Sequence, residues 1–294
     1  MSSEPSGGAS VSMKVPDRDA FAETSDPTAY VSRNATDSVL SDLEDWAANN
    51  AEGSTVAALI GPPGLGKTFL LKVLEARLNQ SSKSEQRSTR TLYLPYAGLP
   101  PTELTAWVYG LLGRAQPSPK GSEVEQAVGQ SGPILGSLLG LSPREDDPFY
   151  LLIDDADSMP TQTLRAFLAE LPHRSSTLRL LLVMNDDARA SRLLAGFESL
   201  SPEVVRLKSP MTEGETRDYV STRLAWAGAA PSIIERLDSE MSHRIFALSA
   251  GIPQTVHRIA SSLFAEGEAA IPGDLDTKQR RENWMGQPFE DELF

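Results

Sequence analysis

The chain has 294 residues, enough for one large domain or two modest ones with a sizeable core. Its 40% hydrophobic and 23% charged residues are ordinary for a globular protein, and its net charge of -13 argues against nucleic acid as the main partner, because phosphate contacts require a basic surface. The absence of cysteine excludes disulfides, a thiolate nucleophile and a cysteine zinc site. His173, His243 and His257 lie far apart in sequence, which weakens a metal-hydrolase reading. The N-terminus lacks the basic and apolar regions of a signal peptide, and runs such as Leu180 to Met184 fall far short of a membrane span. A cytoplasmic setting with no membrane span is expected.

Residues 1–17 are rich in Ser, Gly and Pro and read as a disordered arm. Residues 37–49 place Val39, Leu40, Leu43 and Trp46 at helical spacing. Thr55 to Ile60 is a short apolar run that reads as a strand, followed by a glycine loop and a helical pattern from Lys67 to Leu78. A polar loop at 81–90 leads to a strand at Thr91 to Pro95 and a helix at Glu103 to Leu112. A breaker-rich loop at 114–121 precedes a helix expected at Ser122 to Leu141.

Pro148 to Asp154 reads as a third strand, suited to burial on both faces of a parallel sheet. Gln162 to Leu171 reads as a helix, Leu178 to Met184 as another fully apolar strand, Ala188 to Phe197 as a helix and Val204 to Leu207 as a fifth strand. Strands alternating with helices predict a parallel α/β sheet. After Pro210 the pattern turns all-helical. Thr212 with Glu215 forms a capping box, Gly228 stops that helix, and Pro231 suits the first turn of the next. Further helices are expected at 239–249 and 253–265. The expected division is an arm at 1–17, a core at 18–209, a helical lid at 210–270 and a tail at 271–294.

The strongest chemical signal is GPPGLGKT: Gly61, Pro62, Pro63, Gly64, Leu65, Gly66, Lys67 and Thr68. It matches the full phosphate-loop pattern between a strand and a helix, with Phe69 immediately after it. The glycines let backbone N–H groups cradle phosphates, and the helix N-terminus adds partial positive charge. Lys67 is suited to the β- and γ-phosphates and the Thr68 hydroxyl to Mg²⁺.

A second signal is LLIDD, Leu151 to Asp155, an apolar strand that delivers carboxylates at its C-terminal end. Asp154 fits a Mg²⁺ position and Asp155 the orientation of attacking water. The alternative is that Asp155, Ala156 and Asp157 only begin a turn. A third is Asn185, whose amide fits contact with a γ-phosphate or water, or simply a turn start with Asp186 and Asp187.

With these residues the chain resembles AAA+ ATPases of the general secretion pathway protein A type, a group related to transposon target-selection ATPases. The resemblance runs from about Phe21 to Glu266. FAETSDPTAYVS (21–32) is similar to the family's leading segment, SPMTEGETRDYVSTRLAWAG (209–228) to its first lid helix, and LSAGIPQTVHRIAS (248–261) to its later lid segment. It implies an α/β P-loop AAA+ core with a five-stranded parallel sheet, followed by a helical lid. It also implies ATP/ADP with Mg²⁺ between core and lid, and an oligomerising switch. Asp155 stands where such proteins usually carry Glu, and Gln254 where a lid arginine is common, with Arg258 one helical turn later. No clear arginine finger precedes the fifth strand, where Arg206 stands alone. Arg189 and Arg192 are further candidates, read first as surface residues. Removal of such a finger lowers hydrolysis by orders of magnitude, so slow or partner-assisted turnover is expected.

The final FEDELF, with Trp284 and Met285 upstream, fits either a docking peptide for a protein partner or a solubilising tail. Trp46, Trp107 and Trp226 sit in apolar helical patterns and read as core or interface residues. The leading expectation is a regulatory ATPase that assembles with itself and a protein partner. The alternatives are a nucleotide-dependent scaffold with little hydrolysis and an ATP-dependent DNA-binding transposition regulator, with nucleic acid disfavoured by charge.

Overall fold

A computed structural model of the chain describes residues 19–49, 54–84, 90–111, 149–171 and 178–265. The arm, the loop at 114–121, the helix expected at Ser122 to Leu141, His173 and the tail with FEDELF lie outside them. The strands are β1 (Val56–Gly61), β2 (Arg90–Leu94), β3 (Phe149–Ile153), β4 (Leu178–Asn185) and β5 (Glu203–Arg206). They form one sheet in the order β2-β3-β4-β1-β5, and every pairing is parallel. This is the five-stranded parallel sheet that the alternating pattern predicts.

Burial explains why these strands read as unbroken apolar runs. All residues of β1 and β3 are buried, as parallel strands covered on both faces must be. Val56, Ala58 and Ile60 point to one face, where α3 (Pro101–Leu111), α4 (Thr161–Glu170) and α5 (Ala188–Gly196) pack through Leu104, Phe167 and Leu193. Ala57 and Leu59 point to the other, where α1 (Asn34–Ala48) and α2 (Lys67–Ser84) pack through Leu40, Leu43, Leu71 and Leu74. The result is a helix–sheet–helix sandwich. Helix α1 begins three residues before the apolar pattern does, and α2 continues through 81–84, which read as loop, because local polarity does not mark a helix end without a cap.

The β4 run is not fully apolar. Arg179 lies within it, 2% exposed. Its guanidinium donates to the carbonyls of Ser54 and Asn49 at 2.8 Å each, which ties the end of α1 to the start of β1. Trp46 donates to the Ser54 carbonyl at 2.8 Å, so one carbonyl anchors both. Trp46 packs in the sheet core, while Trp107 and Trp226 pack against hydrophobic clusters in a half-buried state.

The helical C-terminal part comprises α6 (Glu213–Trp226), α7 (Pro231–Glu235), α8 (Ser239–Ser249) and α9 (Pro253–Ala265). The Thr212–Glu215 capping box is present in both directions. Val220, Leu224, Ile245, Val256 and Ala260 form a separate core that also takes in Ala20 and Phe21 from the leading segment. Arg223, 1% exposed, joins these two stretches. It donates to the carbonyls of Ala20 at 2.8 Å and of Ala29 and Ala22 at 3.4 Å each, and stacks on Trp226 with 4.8 Å to the ring centroid. No helix among the described residues is long and apolar enough to cross a membrane.

Arg223→Ala removes the donor to the buried Ala20 and Ala29 carbonyls and to the part-buried Ala22 carbonyl. The expected cost is about 2–4 kcal/mol, a fall in Tm of roughly 5–12 °C for a domain of this size. Differential scanning calorimetry and hydrogen exchange at 20–29 check it. An unchanged Tm with unchanged protection there refutes the assignment of Arg223 as the tie.

Candidate functional site

The site lies at the C-terminal ends of β1, β3 and β4. β1 is followed by α2 on one face of the sheet, and its neighbour β4 by α5 on the other, so the two connections diverge and open a crevice there. Gly61 ends β1 in register with Asn185 at the end of β4. A side chain at Gly61 is excluded, because a Cβ there would stand 2.3 Å from the Leu207 carbonyl oxygen. The loop then turns through Gly64 at φ +79° and Gly66 at φ +92°, a region that glycine enters without steric cost. Leu65 is buried in the core below and pins the loop. A Cβ at Gly66 would meet open space, so the crevice is clear where phosphates would sit.

Lys67 opens α2 and is 9% exposed. Its Nζ donates to the carbonyls of Gly61 at 2.8 Å and Pro62 at 2.9 Å, and to Asn185 Oδ1 at 2.9 Å. Burial lowers its pKa, while the nearby carboxylates Asp154, Asp157, Asp155 and Asp186 act in the other direction. Thr68 is exposed to the crevice beside it. Phe69, half-buried, stacks on Tyr30 at 6.5 Å.

Asp154 extends the β2–β3 ladder through its N–H, which donates to the Leu94 carbonyl at 2.8 Å. The Tyr93 hydroxyl reaches its Oδ2 at 3.4 Å, and burial together with the Asp154 charge pushes the Tyr93 pKa up to about 12. Asp155 is exposed at φ 49°, ψ 39°, and its N–H donates to Asp154 Oδ1 at 3.0 Å. Aspartate is among the few non-glycine residues that enter this left-handed region readily. Asp155 thus sits in a turn and also lines the crevice.

The lid closes the opposite wall. The Gln254 N–H donates to the Gly64 carbonyl at 3.1 Å, which joins α9 directly to the phosphate loop. Gln254 and Arg258 both line the crevice. Tyr219 and His257 meet there at 2.6 Å, and burial, with Arg223 nearby, lowers the His257 pKa to about 4, so its ring is neutral at pH 7.

The structure therefore brings together Gly64, Lys67, Thr68, Phe69, Asp154, Asp155, Asn185, Gln254 and Arg258 around one crevice. It does not bring in the three arginine-finger candidates. Arg206 pairs with Asp186 at 3.2 Å, Arg189 with Asp187 at 3.2 Å and Asp157 at 3.4 Å, and the Nε of Arg192 donates to the Ala188 carbonyl at 3.3 Å. Sequence reasoning missed Tyr93, Tyr30, Arg33, Tyr219 and Arg223. Only Arg223 carried a signal: it falls on the buried stripe Thr216, Val220, Arg223, Leu224 of a predicted helix.

Residues 50–193 match a family described as an AAA domain. No curated protein matches the chain. Among solved structures, the ORC1 protein of Aeropyrum pernix in complex with DNA is similar at TM-score 0.61 and 18% identity, over 81% of this chain and 61% of that one. The ORC2 protein of Aeropyrum pernix, in ADPNP-ADP complexes, is similar at TM-score 0.56 and 17% identity, over 84% of this chain and 65% of that one. Domain III of the Thermotoga maritima replication initiation protein DnaA follows at TM-score 0.51 and 14% identity, over 81% and 85%. The chain thus spans less than two thirds of either ORC chain, and identities this low speak for the fold alone. The parallel sheet, its phosphate loop and the helical C-terminal part are those of an α/β P-loop AAA+ fold, with an AAA domain matched at residues 50–193.

Proposed function

We propose that the protein is an ATP-binding AAA+ regulatory ATPase of the secretion pathway protein A type. In this reading it couples ATP binding and slow hydrolysis to assembly with itself and with a protein partner in the cytoplasm. The observation that carries the reading is the buried Lys67 ammonium, held by two loop carbonyls and Asn185 below a crevice that lid and loop share. A cation kept there without a carboxylate in contact is poised for an anion. In this division the core is 18–209 and the lid 210–270.

Phosphate oxygens would take the N–H groups of Gly64 to Thr68 and draw Lys67 Nζ from the carbonyls it now holds. Asn185 would then lose its Lys67 donor and turn its amide toward the terminal phosphate. Thr68 and Asp154 fit a Mg²⁺, which supplies charge neutralisation at the β- and γ-phosphates. Asp155 would orient the attacking water from its exposed turn. Its side chain is one methylene shorter than the usual Glu, and such a shift in a positioned carboxylate slows the step. Gln254 and Arg258 would report the phosphate state to the lid, through the Gln254–Gly64 bond already in place.

None of Arg189, Arg192 and Arg206 lines the crevice of its own chain, which supports completion of the site by an arginine of a second copy. The ORC1 likeness raises a DNA-binding reading, which the net charge of -13 opposes. Retardation of DNA at low salt with ATP would favour it, with affinity falling steeply as salt rises.

Steady-state ATP turnover per subunit is expected to rise with protein concentration. Lys67→Ala is expected to weaken ATP binding about 10–100-fold, the effect of losing a charge-assisted contact, and to bring turnover to background. Flat, background turnover alongside retained ATP binding sinks the hydrolytic part and leaves a nucleotide-gated scaffold. Asp155→Glu is expected to raise turnover about 100-fold, the low end of what a positioned acid–base group contributes. If the rate does not move in single-turnover assays, side-chain length at 155 is not the limiting factor.

A further inference from the structure

Among the described residues, the buried side-chain polar atoms without a hydrogen bond are Arg33 Nη1 and both carboxylate oxygens of Asp157. Asp157 stands in the 3-10 turn Ala156–Ser158 that follows Asp155, and its side chain is 1% exposed. Ala156 and Met159 beside it in the chain belong to the apolar core, as do Ala190 and Leu193 of α5. An apolar side chain would pack there without the cost of a buried charge, and a buried ion pair adds little stability of its own. What such a pair does add is a fixed relation between the two segments that carry it.

The cation of the pair is Arg189, whose Nη2 lies 3.4 Å from Asp157 Oδ2. The same guanidinium donates from Nε to Asp187 Oδ2 at 3.2 Å. Asp187 is the N-cap of α5. Its Oδ1 accepts from the N–H groups of Arg189 at 2.8 Å and Ala190 at 3.0 Å, and its own N–H donates to the Asn185 carbonyl at 3.0 Å. On the other side, the Ser158 N–H and hydroxyl both donate to the Asp155 carbonyl, at 3.1 Å and 2.6 Å. Arg189 therefore spans two short, internally bonded turns. One follows β3 and carries Asp155; the other follows β4 and carries Asn185. The β3–β4 ladder ends at the Ile153–Leu182 pair, short of both residues, so the bridge continues the connection where backbone pairing stops.

We propose that Arg189 is a positioning residue: bound to Asp157 and Asp187 of its own chain, it fixes the Asp155 turn against the Asn185 turn and so sets both side chains for a terminal phosphate. This rests on the nucleotide reading above and gives Arg189 a role within its own subunit, in place of an arginine finger. Arginine suits it because a planar fork can hold two carboxylates at a fixed angle, which the single point charge of a lysine cannot. Asp155 and Asn185 then answer together to the presence or loss of that phosphate.

The test compares Asp157→Asn, Arg189→Met and the double variant with wild type in the full chain. Titration calorimetry gives Kd for Mg-ADPNP and Mg-ADP, and the ligand-free Tm is measured alongside. Wild type is expected to prefer ADPNP. Asp157→Asn is expected to lower that preference about 5-fold, inside the range by which residues between two sites alter their coupling, with ADP affinity unchanged. Its Tm stays level or rises, because a buried charge is gone. Arg189→Met loses the same preference and also loses Tm, because a buried carboxylate is left without its cation. The double variant recovers the Tm but not the preference, and its loss is no greater than that of either single change. An unaltered preference in Asp157→Asn overturns the proposal; a loss confined to Arg189→Met then places that arginine on a second copy's nucleotide. A drop in the Tm of Asp157→Asn, or a preference that returns with the Tm in the double variant, marks the pair as structural and also overturns it. If wild type binds both nucleotides equally, the strut sets nothing and the proposal falls while the nucleotide reading stands. If wild type binds neither, the nucleotide reading fails first and the role of Arg189 fails with it.

Discussion

The parallel pairing of β1 with β4 is the constraint on which the site depends. It sets Gly61 opposite Asn185, residues far apart in the chain. That register lets one ammonium, Lys67 Nζ, bridge the end of β1 and the end of β4. A slip of one residue would turn Asn185 to the opposite face and leave the ammonium with loop carbonyls alone. Both strands are apolar on both faces, so the register is held by the close packing of their side chains against the helices on each side. Sheet packing and site geometry are thus the same interaction viewed at two scales.

Charge around that bridge is arranged asymmetrically. Asp154, Asp155, Asp157 and Asp186 all lie near enough for their fields to act on Lys67. Asp157 is buried with no hydrogen-bond donor on either carboxylate oxygen, and burial, then Asp155, pushes its pKa up. Arg189 lies 3.4 Å away as an ion pair, outside hydrogen-bond geometry. Of these carboxylates, Asp154 and Asp155 line the crevice, and so does Lys72, which stands 3.1 Å over the centroid of the Tyr93 ring.

Much of this was legible in the sequence, for a physical reason. The phosphate loop, its strand and its helix are local: glycine at positive φ, a buried strand and a helix start occupy consecutive residues, so the string carries them. LLIDD and the end of β4 were legible because a strand covered on both faces reads as an apolar run with a polar terminus. The capping box at Thr212 is local too. What was not legible is non-local pairing of polar groups. Arg179 read as part of an apolar run because its partners, the Ser54 and Asn49 carbonyls, precede it by more than a hundred residues. Arg223 and Arg33 had no local cue to their partners or lack of them. The helix ends at Asn34 and Ser84 were missed because no side-chain cap marks the first and a polar run spans the second.

Contacts also join the helical C-terminal part to the sheet and its phosphate loop. Gly251, at φ +70°, lies so close to Met211 that a Cβ there would stand 1.9 Å from the Met211 carbonyl oxygen. This close crossing, with the Met211 N–H donating to the Gly251 carbonyl at 2.8 Å, locks α6 to α9. Gln254, at the start of α9, in turn donates its N–H to the Gly64 carbonyl. The leading segment belongs to both sides. Ala20 and Phe21 pack in the lid core and Arg223 holds that stretch, whereas Tyr30 bonds to α1 and stacks over α2. Residues 22–30 thus link the core of the helical C-terminal part to the helices on the sheet, along the crevice that both line.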